Sequence, residues 1–434
     1  MIQKFYLRGG MMEKIMILIN DIDPNIYVDN IDTSIYETTV VYQKPVTEAM
    51  ENKFKICIKK YNVYTWIMVE RKEDLIPKAK ELSVKEKFST IISFAEDLII
   101  PTEYLKKEVG IKNQYEEIKN ITNKFYQRET VSKYYPELST NAHKIRNKKD
   151  AEAIAEYFNF PGMLKPVSMA GSRLACKVES RKDFLEVIED LTKEEFFHTD
   201  FILEEFLIGS DWYGEENAFF DDYVSVESIV SNGEITHLAV SSKPMIAKPF
   251  RETGLVVPTT LSQDKQNHLF EASSKVIKAL NYKNGPTHIE LKLTSSGPKL
   301  IEFNPRAGGP VPFLIQTSSD YPIINQIVRS YLGEEISNFS GFKNSSAFFS
   351  FQVGSGEKVV LDNINDKVSF SNKNIKEFFI FKHKGEIVDP AIGTSAMLGF
   401  AYVVGETPAE CMRLRSEIWD KLDVKYSREL GIHK

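Results

Sequence analysis

Cysteine is scarce in this chain: Cys57, Cys176 and Cys411 are the only three in 434 residues. They are far apart and odd in number, with no metal or redox spacing. Reduced thiols in a cytoplasmic setting are therefore expected rather than a disulfide framework. Histidine is also sparse, and none of the seven residues forms an HxxxH pair, which argues against a zinc site. No apolar run approaches the ~20 residues of a membrane span. Met1 to Gly10 carries Lys4 and Arg8 but no long apolar stretch, so a secretory signal is not expected; Met11 and Met12 leave a later start open. Positive charge is not in excess. Lys and Arg number 55 against 61 Asp and Glu, a net charge of −6, which implies no broad basic surface for nucleic acid. No Gly-x-Gly-x-x-Gly follows the first strand. Gly209 and Gly214 have P-loop spacing, but Glu215 stands where the lysine belongs. A Gly-x-Ser-x-Gly elbow and an evident cysteine nucleophile are missing too.

What is present is ordinary in bulk: 42% hydrophobic and 27% charged residues, enough for a sizeable core. The length suits about three domains at ~150 residues each. Lys14–Asn20 reads as a short buried strand, followed by an acidic loop, Asp21 to Asp23. Phe54–Ile58 and Ile91–Phe94 read as further strands, with a charged helix near Val84–Phe88. Residues 149–158 form an amphipathic helix pattern, and Ser180 opens another, with Asp183 at the capping-box position. Between them lies a strand-loop-strand. Residues 201–208, 223–230 and 235–240 are β-rich. Helices are expected over 263–280 and 321–332, the latter stopped by Gly333. From 345 the chain is again β-rich. It closes on a helix at 408–422, with Thr407 as cap, Pro408 first and Glu410 third.

The most informative stretch is 287–310. Two alternating apolar runs flank Ser295-Ser296-Gly297, which reads as a hairpin with Gly297 supplying the left-handed residue. A three-residue loop sets Thr294 against Pro298 and Glu290 directly across from Glu302. Facing carboxylates ~5 Å apart repel by about 3 kcal/mol at an effective dielectric near 20. Water can screen such a pair on a solvated face. Here, however, Asn304 and Arg306 follow in alternation on an apolar strand, and a hard divalent cation with oxygen ligands accounts for the set. Arg306 is a fixed fork for a carboxylate, phosphate or oxyanion.

Other segments are ambiguous alone. Lys165 ends a strand before Pro166, and the small residues Ser168 to Ser172 could close over phosphates; an ordinary turn with a surface lysine reads equally well. Residues 201–211 form an apolar strand interrupted by Glu204 and Glu205 and ending in a glycine turn near Asp211. That pattern suits an adenine-reading edge or a plain edge strand. Lys243 to Pro258 is a proline-rich connection holding Lys248, Phe250, Arg251 and Glu252, either plain surface or ligand-facing. His288 shares a face with Glu290 and could touch phosphate or substrate, or be a satisfied strand histidine.

Taken in order, Asn123-Lys124 with Arg128, Lys165-Pro166 with Gly171-Ser172, Glu204-Glu205-Phe206-Leu207 with Gly209 and Asp211, then Glu290 and Glu302-Phe-Asn304-Pro-Arg306, resemble the ATP-grasp superfamily over roughly 115–315. The 249–258 stretch and the tail around Gly393-Thr394-Ser395 look like L-amino acid ligases and carnosine-synthase-like carboxylate–amine ligases. The resemblance implies a multidomain protein of α/β and α+β parts. These are a pre-grasp α/β domain (1–110), a small lid part (111–205), and a large antiparallel-sheet part (206–434) with a β-rich subdomain from about 335. Lys124 and Lys165 would hold the phosphates of ATP, with Gly171 and Ser172 in the covering loop. Glu205, Phe206 and Leu207 would read adenine with Glu204 beside them, and Asp211 would reach the ribose. Glu290, Glu302 and Asn304 would ligate two Mg²⁺ ions, Mn²⁺ being able to substitute, and Arg306 would stabilise the transferring phosphoryl group. Arg251, Glu252, His288, Gly308 and Gly309 are the candidates for facing the substrate. Many relatives have Asp where Asn123 stands and Glu where Asp211 stands, and here Arg173 follows the loop in place of a second small residue. The implied activity joins a small carboxylic acid or amino acid to an amine through an acyl phosphate. A carrier-protein thiol or tethered amine as acceptor, and a non-catalytic ATP-binding module, are the alternatives. A homodimer is among the assemblies the sequence allows; no nucleic-acid or membrane partner is expected.

Overall fold

A computed structural model describes residues 12–168, 171, 174–193 and 199–428. Ser172 and Arg173 lie outside the described residues. Four strands open the chain: β1 (Glu13–Ile19), β2 (Tyr36–Gln43), β3 (Thr65–Val69) and β4 (Thr90–Ser93), forming a parallel sheet in the order β3-β2-β1-β4. Ile15 to Ile19 are fully buried, as a run covered on both faces must be. The odd-numbered isoleucines of β1 join a core with Val311, Leu314, Ile324 and Ile327; Met16 and Leu18 face Leu75, Ala79 and Leu98 on the other side.

Two expectations here fail. Phe54–Ile58 is not a strand but the middle of a helix, Glu48–Lys60. The Thr47 hydroxyl caps it by accepting from the Met50 amide at 3.2 Å. Phe54 and Cys57, one turn apart, form its buried stripe, while Ile56 stays exposed, so the helical period prevails over the β-prone composition. The helix expected near Val84–Phe88 runs instead from Leu75 to Lys85, and only its last two residues fall in that window.

The next strands are β5 (Ala142–Ile145), β6 (Gly162–Pro166), β7 (Cys176–Val178) and β8 (Phe201–Glu205), an antiparallel sheet in the order β5-β8-β6-β7 with its own apolar core. The helices Tyr115–Ile121 and Lys124–Tyr134, placed with this small part on sequence grounds, instead share an apolar core with the following sheet through Ile118, Ile121 and Val131.

The remaining strands are β9 (Phe220–Ser231), β10 (Glu234–Pro244), β11 (Gly254–Val257), β12 (Gly285–Thr294), β13 (Gly297–Asn304), β14 (Ser345–Phe351), β15 (Val359–Asn363), β16 (Ile375–Ile380), β17 (Ile387–Val388), β18 (Gly399–Gly405) and β19 (Lys425–Arg428). Eight of them form one sheet, β13-β12-β9-β10-β11-β14-β18-β16, and β17-β15-β19 form a small one. The capping expectations for the tail helix Pro408–Leu422 hold: Thr407 Oγ1 accepts from the Glu410 amide at 3.2 Å and Glu410 Oε2 accepts from the Glu406 amide at 2.8 Å. Gly333, at φ 76°, ends the helix Ile323–Leu332 in the left-handed conformation. Among the described residues, no helix is long and apolar enough to cross a membrane.

Candidate functional site

Where β9, β12 and β13 run side by side, the large sheet has one aliphatic and one charged face. Val224, Val226, Ile289, Leu291, Leu300 and Phe303 point into an apolar core. With a side-chain period of two, the intervening positions on β9 and β12 (Tyr223, Ser225, Glu227; His288, Glu290, Lys292) face the other way. They meet in register, with His288 opposite Glu227 and Glu290 opposite Ser225.

Glu290 does pair with Glu302, but not through the expected ladder. The turn holds two residues, Ser295 and Ser296, so Thr294 pairs with Gly297 and Leu291 with Leu300. Gly297, at φ 111°, supplies the left-handed residue as expected. A bulge then places Ile301 as an extra residue, after which Glu302 faces Glu290, Phe303 faces Ile289 and Asn304 faces His288. Without it, strict alternation would keep Glu302 on the aliphatic face with Leu300.

Two adjoining cavities open over the charged face. The first, about 240 Å³, is lined by Lys124, Lys165, Glu205, Phe206, Leu207 and Ile301, with Met163, Tyr223, Ile246 and Phe250. The second, about 210 Å³, is lined by Glu96, Lys243, His288, Asn304, Arg306, Gly308, Gly309 and Pro310. Glu252, Glu290, Glu302, Gly171 and Thr394 border both, so the carboxylate pair stands in the shared wall.

Each carboxylate is held by cations. Lys124 Nζ lies 2.6 Å from Glu302 Oε1. Lys243, fully buried at the end of β10, is 2.8 Å from Glu252 and 4.0 Å from Glu290. His288 bridges two acids, Nδ1 at 2.9 Å from Glu227 and Nε2 at 3.4 Å from Glu290. Burial alone would lower its pKa, but the Glu227 charge and hydrogen bond push it up to about 9, so it is an imidazolium at neutral pH. Burial alone would raise Glu290, but His288, Lys243 and Arg306 hold it down to about 2. Arg306 is clamped by Glu96, whose Oε2 accepts from its Nε at 3.1 Å. In the first cavity Glu204 is a buried counter-ion: it pairs with Lys165 and with Arg128, Nε to Oε2 at 2.6 Å. Those two cations outweigh its burial and hold its carboxyl down to about 2, while burial lowers the Lys165 pKa.

Several expected site residues converge: Lys124, Lys165, Gly171, Glu204 to Leu207, Glu252, His288, Glu290, Glu302, Asn304, Arg306, Gly308 and Gly309 all border one cavity or the other. Glu205 and Phe206 donate their amides to Asn141 and Pro161 carbonyls at 3.3 Å, which pins this edge beside the cavity. Two residues stay outside. Arg251 is buried and saturated, donating to the Lys248, Val353 and Ser355 carbonyls and to Gln352, so it braces the 245–253 loop rather than facing a ligand. Asp211 borders neither cavity. Its Oδ1 accepts from the Tyr213 and Gly214 amides at 2.9 and 2.8 Å and closes a local turn.

Sequence reasoning missed Glu227, Lys243 and Glu96. An acid amid the aliphatic alternation of β9, and a lysine at the end of β10, were readable signals. Glu96 carried none, since only packing of the first domain brings it to Arg306.

Residues 158–312 match the family model of the ATP-grasp domain. Over this stretch, about a third of its length, the chain is similar to the ATP-grasp domain. Alanine–anticapsin ligase of Bacillus subtilis (strain 168) is 33% identical over 183 residues, 38% of this chain and 38% of that protein. Carnosine synthase 1 of Gallus gallus is 34% identical over 85 residues, 19% of this chain and 9% of the relative. These matches span well under two thirds of the relatives' lengths. The fold agrees more widely: the crystal structure of L-amino acid ligase from Bacillus licheniformis superposes with a TM-score of 0.73 at 17% identity, covering 96% of this chain and 100% of that one. The charged wall between the two cavities has the donor chemistry of a hard-cation site. Glu290, Glu302 and Asn304 offer oxygen only, which suits Mg²⁺. Among the described residues no group of three or more His, Cys, Asp or Glu is placed to hold a metal ion.

Proposed function

We propose that the protein is an ATP-dependent carboxylate–amine ligase that joins amino acids or other small carboxylic acids to an amine, releasing ADP and phosphate. The observation that carries this reading is the shared wall. A nucleotide in the first cavity presents its terminal phosphate at Glu290 and Glu302, where a carboxylate held in the second cavity can reach it.

Phe206, Leu207, Met163 and Phe250 form an apolar slot for the base, and Lys165 and Lys124 meet the phosphates. Glu290, Glu302 and Asn304 would hold Mg²⁺, which supplies charge neutralisation at the phosphates. A substrate carboxylate oxygen attacks the terminal phosphorus, the bond to the ADP oxygen breaks, and an acyl phosphate forms. The amine nitrogen then attacks the acyl carbon, the carbon–oxygen bond to phosphate breaks, and the nitrogen loses a proton as the amide forms. Arg306, fixed by Glu96, stands beside the carboxylate wall to stabilise charge on both the transferring phosphoryl group and the tetrahedral oxyanion. No covalent side-chain nucleophile is required; positioning and electrostatics suffice.

The test is ADP and phosphate release with Mg²⁺ across amino acid pairs, with and without an acyl carrier protein. Pair-dependent ADP release is expected. Release that needs the carrier would move the acceptor to a thiol, and ATP binding without any substrate-stimulated release would leave a nucleotide-binding module.

A further inference from the structure

Strand β13 is an edge of the eight-stranded sheet, so its outward backbone groups have no neighbouring strand. They are met instead by two consecutive side chains of the helix Lys124–Tyr134. The Gln127 amide takes both groups of Phe303: Nε2 donates to its carbonyl at 2.9 Å and Oε1 accepts from its N–H at 3.0 Å. Nε2 also donates to the Ile121 carbonyl at 2.8 Å, which fixes the amide's orientation. Arg128 Nη2 donates to the carbonyl of Ile301, the bulge residue, at 2.5 Å. Gln127 and Arg128 thus grip the backbone on either side of Glu302. Lys124, one turn earlier on the same helix face, holds its carboxylate. Arg128 also reaches Glu204, which pairs with Lys165. Gln127 is 1% exposed and Arg128 2%, and neither borders either of the two cavities described above.

A bulge gives up local ladder pairing and needs its freed groups satisfied from elsewhere. Here Arg128 meets the carbonyl of the bulge residue, and Gln127 anchors the edge groups of Phe303 two residues on. We propose that Gln127 and Arg128 are positioning residues that stabilise the bulge at Ile301, and so keep Glu302 beside Glu290 and in step with Lys165.

This inference rests on the metal-nucleotide reading of the hairpin, and the experiment separates the two. In the full chain, Gln127→Met keeps the length of the side chain and removes all three hydrogen bonds. Mn²⁺ affinity in the presence of ADP is read by electron paramagnetic resonance, beside Tm and the kcat and KM for ATP. The expected result is Mn²⁺ affinity weakened by about ten-fold or more, with the KM for ATP at saturating metal changed by less than about two-fold, in a folded protein. Arg128→Lys, which can serve Glu204 or Ile301 but not both, should weaken Mn²⁺ in the same direction. Unchanged Mn²⁺ affinity in folded Gln127→Met would overturn the proposal. No Mn²⁺ binding by the unaltered protein with ADP would overturn the metal reading instead. If Gln127→Met does not fold, Gln127→Glu, which keeps the acceptor for Phe303, is read in the same way. Failure of both to fold would assign Gln127 to stability alone and also overturn the proposal.

Discussion

The two cavities share a wall and differ in almost everything else. The first is walled by Met163, Phe206, Leu207, Ile246 and Phe250, with Lys124, Lys165 and Lys292 also in its lining. The second is bordered by Glu96, Glu252, Glu290 and Glu302 against Lys243, His288 and Arg306. A flat, largely apolar group can be held by shape and burial. Groups that change charge during a reaction need dipoles and charges fixed beforehand. In the second cavity each charge is already paired: His288 between two acids, Lys243 under two, Arg306 on Glu96.

Substitutions should separate shape from charge. The largest effect is expected at the wall itself: Glu302→Gln should lower substrate-dependent ADP formation by about three orders of magnitude, the several kcal/mol that a metal-held phosphate supplies. Tm should be retained, and full activity in that variant would break the division. Next, Arg306→Ala should reduce kcat by about 10²–10³ with little change in the KM for ATP, as expected for a group used only in the transition state. A KM effect alone would place Arg306 in the nucleotide cavity's role.

Lys243→Met should leave Glu252 without its cation, and Glu290 with His288 and Arg306 alone, and cost about 3 kcal/mol of stability, read by urea unfolding. Glu204 tests the first cavity by pH. Its pKa is held down to about 2 in the folded chain against 4.5 unperturbed. Its contribution is therefore fully present above pH 4.5 and lost as pH falls through about 2, on the order of 3 kcal/mol in all. Glu204→Gln should flatten that acid limb. The smallest effect is expected at Asp211→Ala, which removes two turn hydrogen bonds. About 1 kcal/mol of stability should be lost, with the KM for ATP unchanged.

The hairpin shows how far sequence reasoning carries. Alternation on β12 identified the residues of the charged face, and the pairing of Glu290 with Glu302 is found. The route was different, because a two-residue turn and a bulge together reach the facing that a three-residue loop would have given. The helix at 408–422 was readable from Thr407, Pro408 and Glu410, since caps act within one turn. Phe54–Ile58 misled because a short apolar run carries no decisive period. Asp211 accepts from the amides of its own turn, and Arg251 donates to the Val353 carbonyl 102 residues away, contacts that the motif spacing did not signal.

The sequence by itself determined the alternating faces of β12, the caps of the closing helix, and an acid-rich hairpin ending in Asn304 and Arg306. These depend on neighbours two to four residues apart. Tertiary structure decided the bulge at Ile301, held from Arg128 across 173 residues, and the setting of Arg306 by Glu96 across 210. Such contacts leave no local period in the chain, because their geometry exists only once segments far apart in sequence have packed.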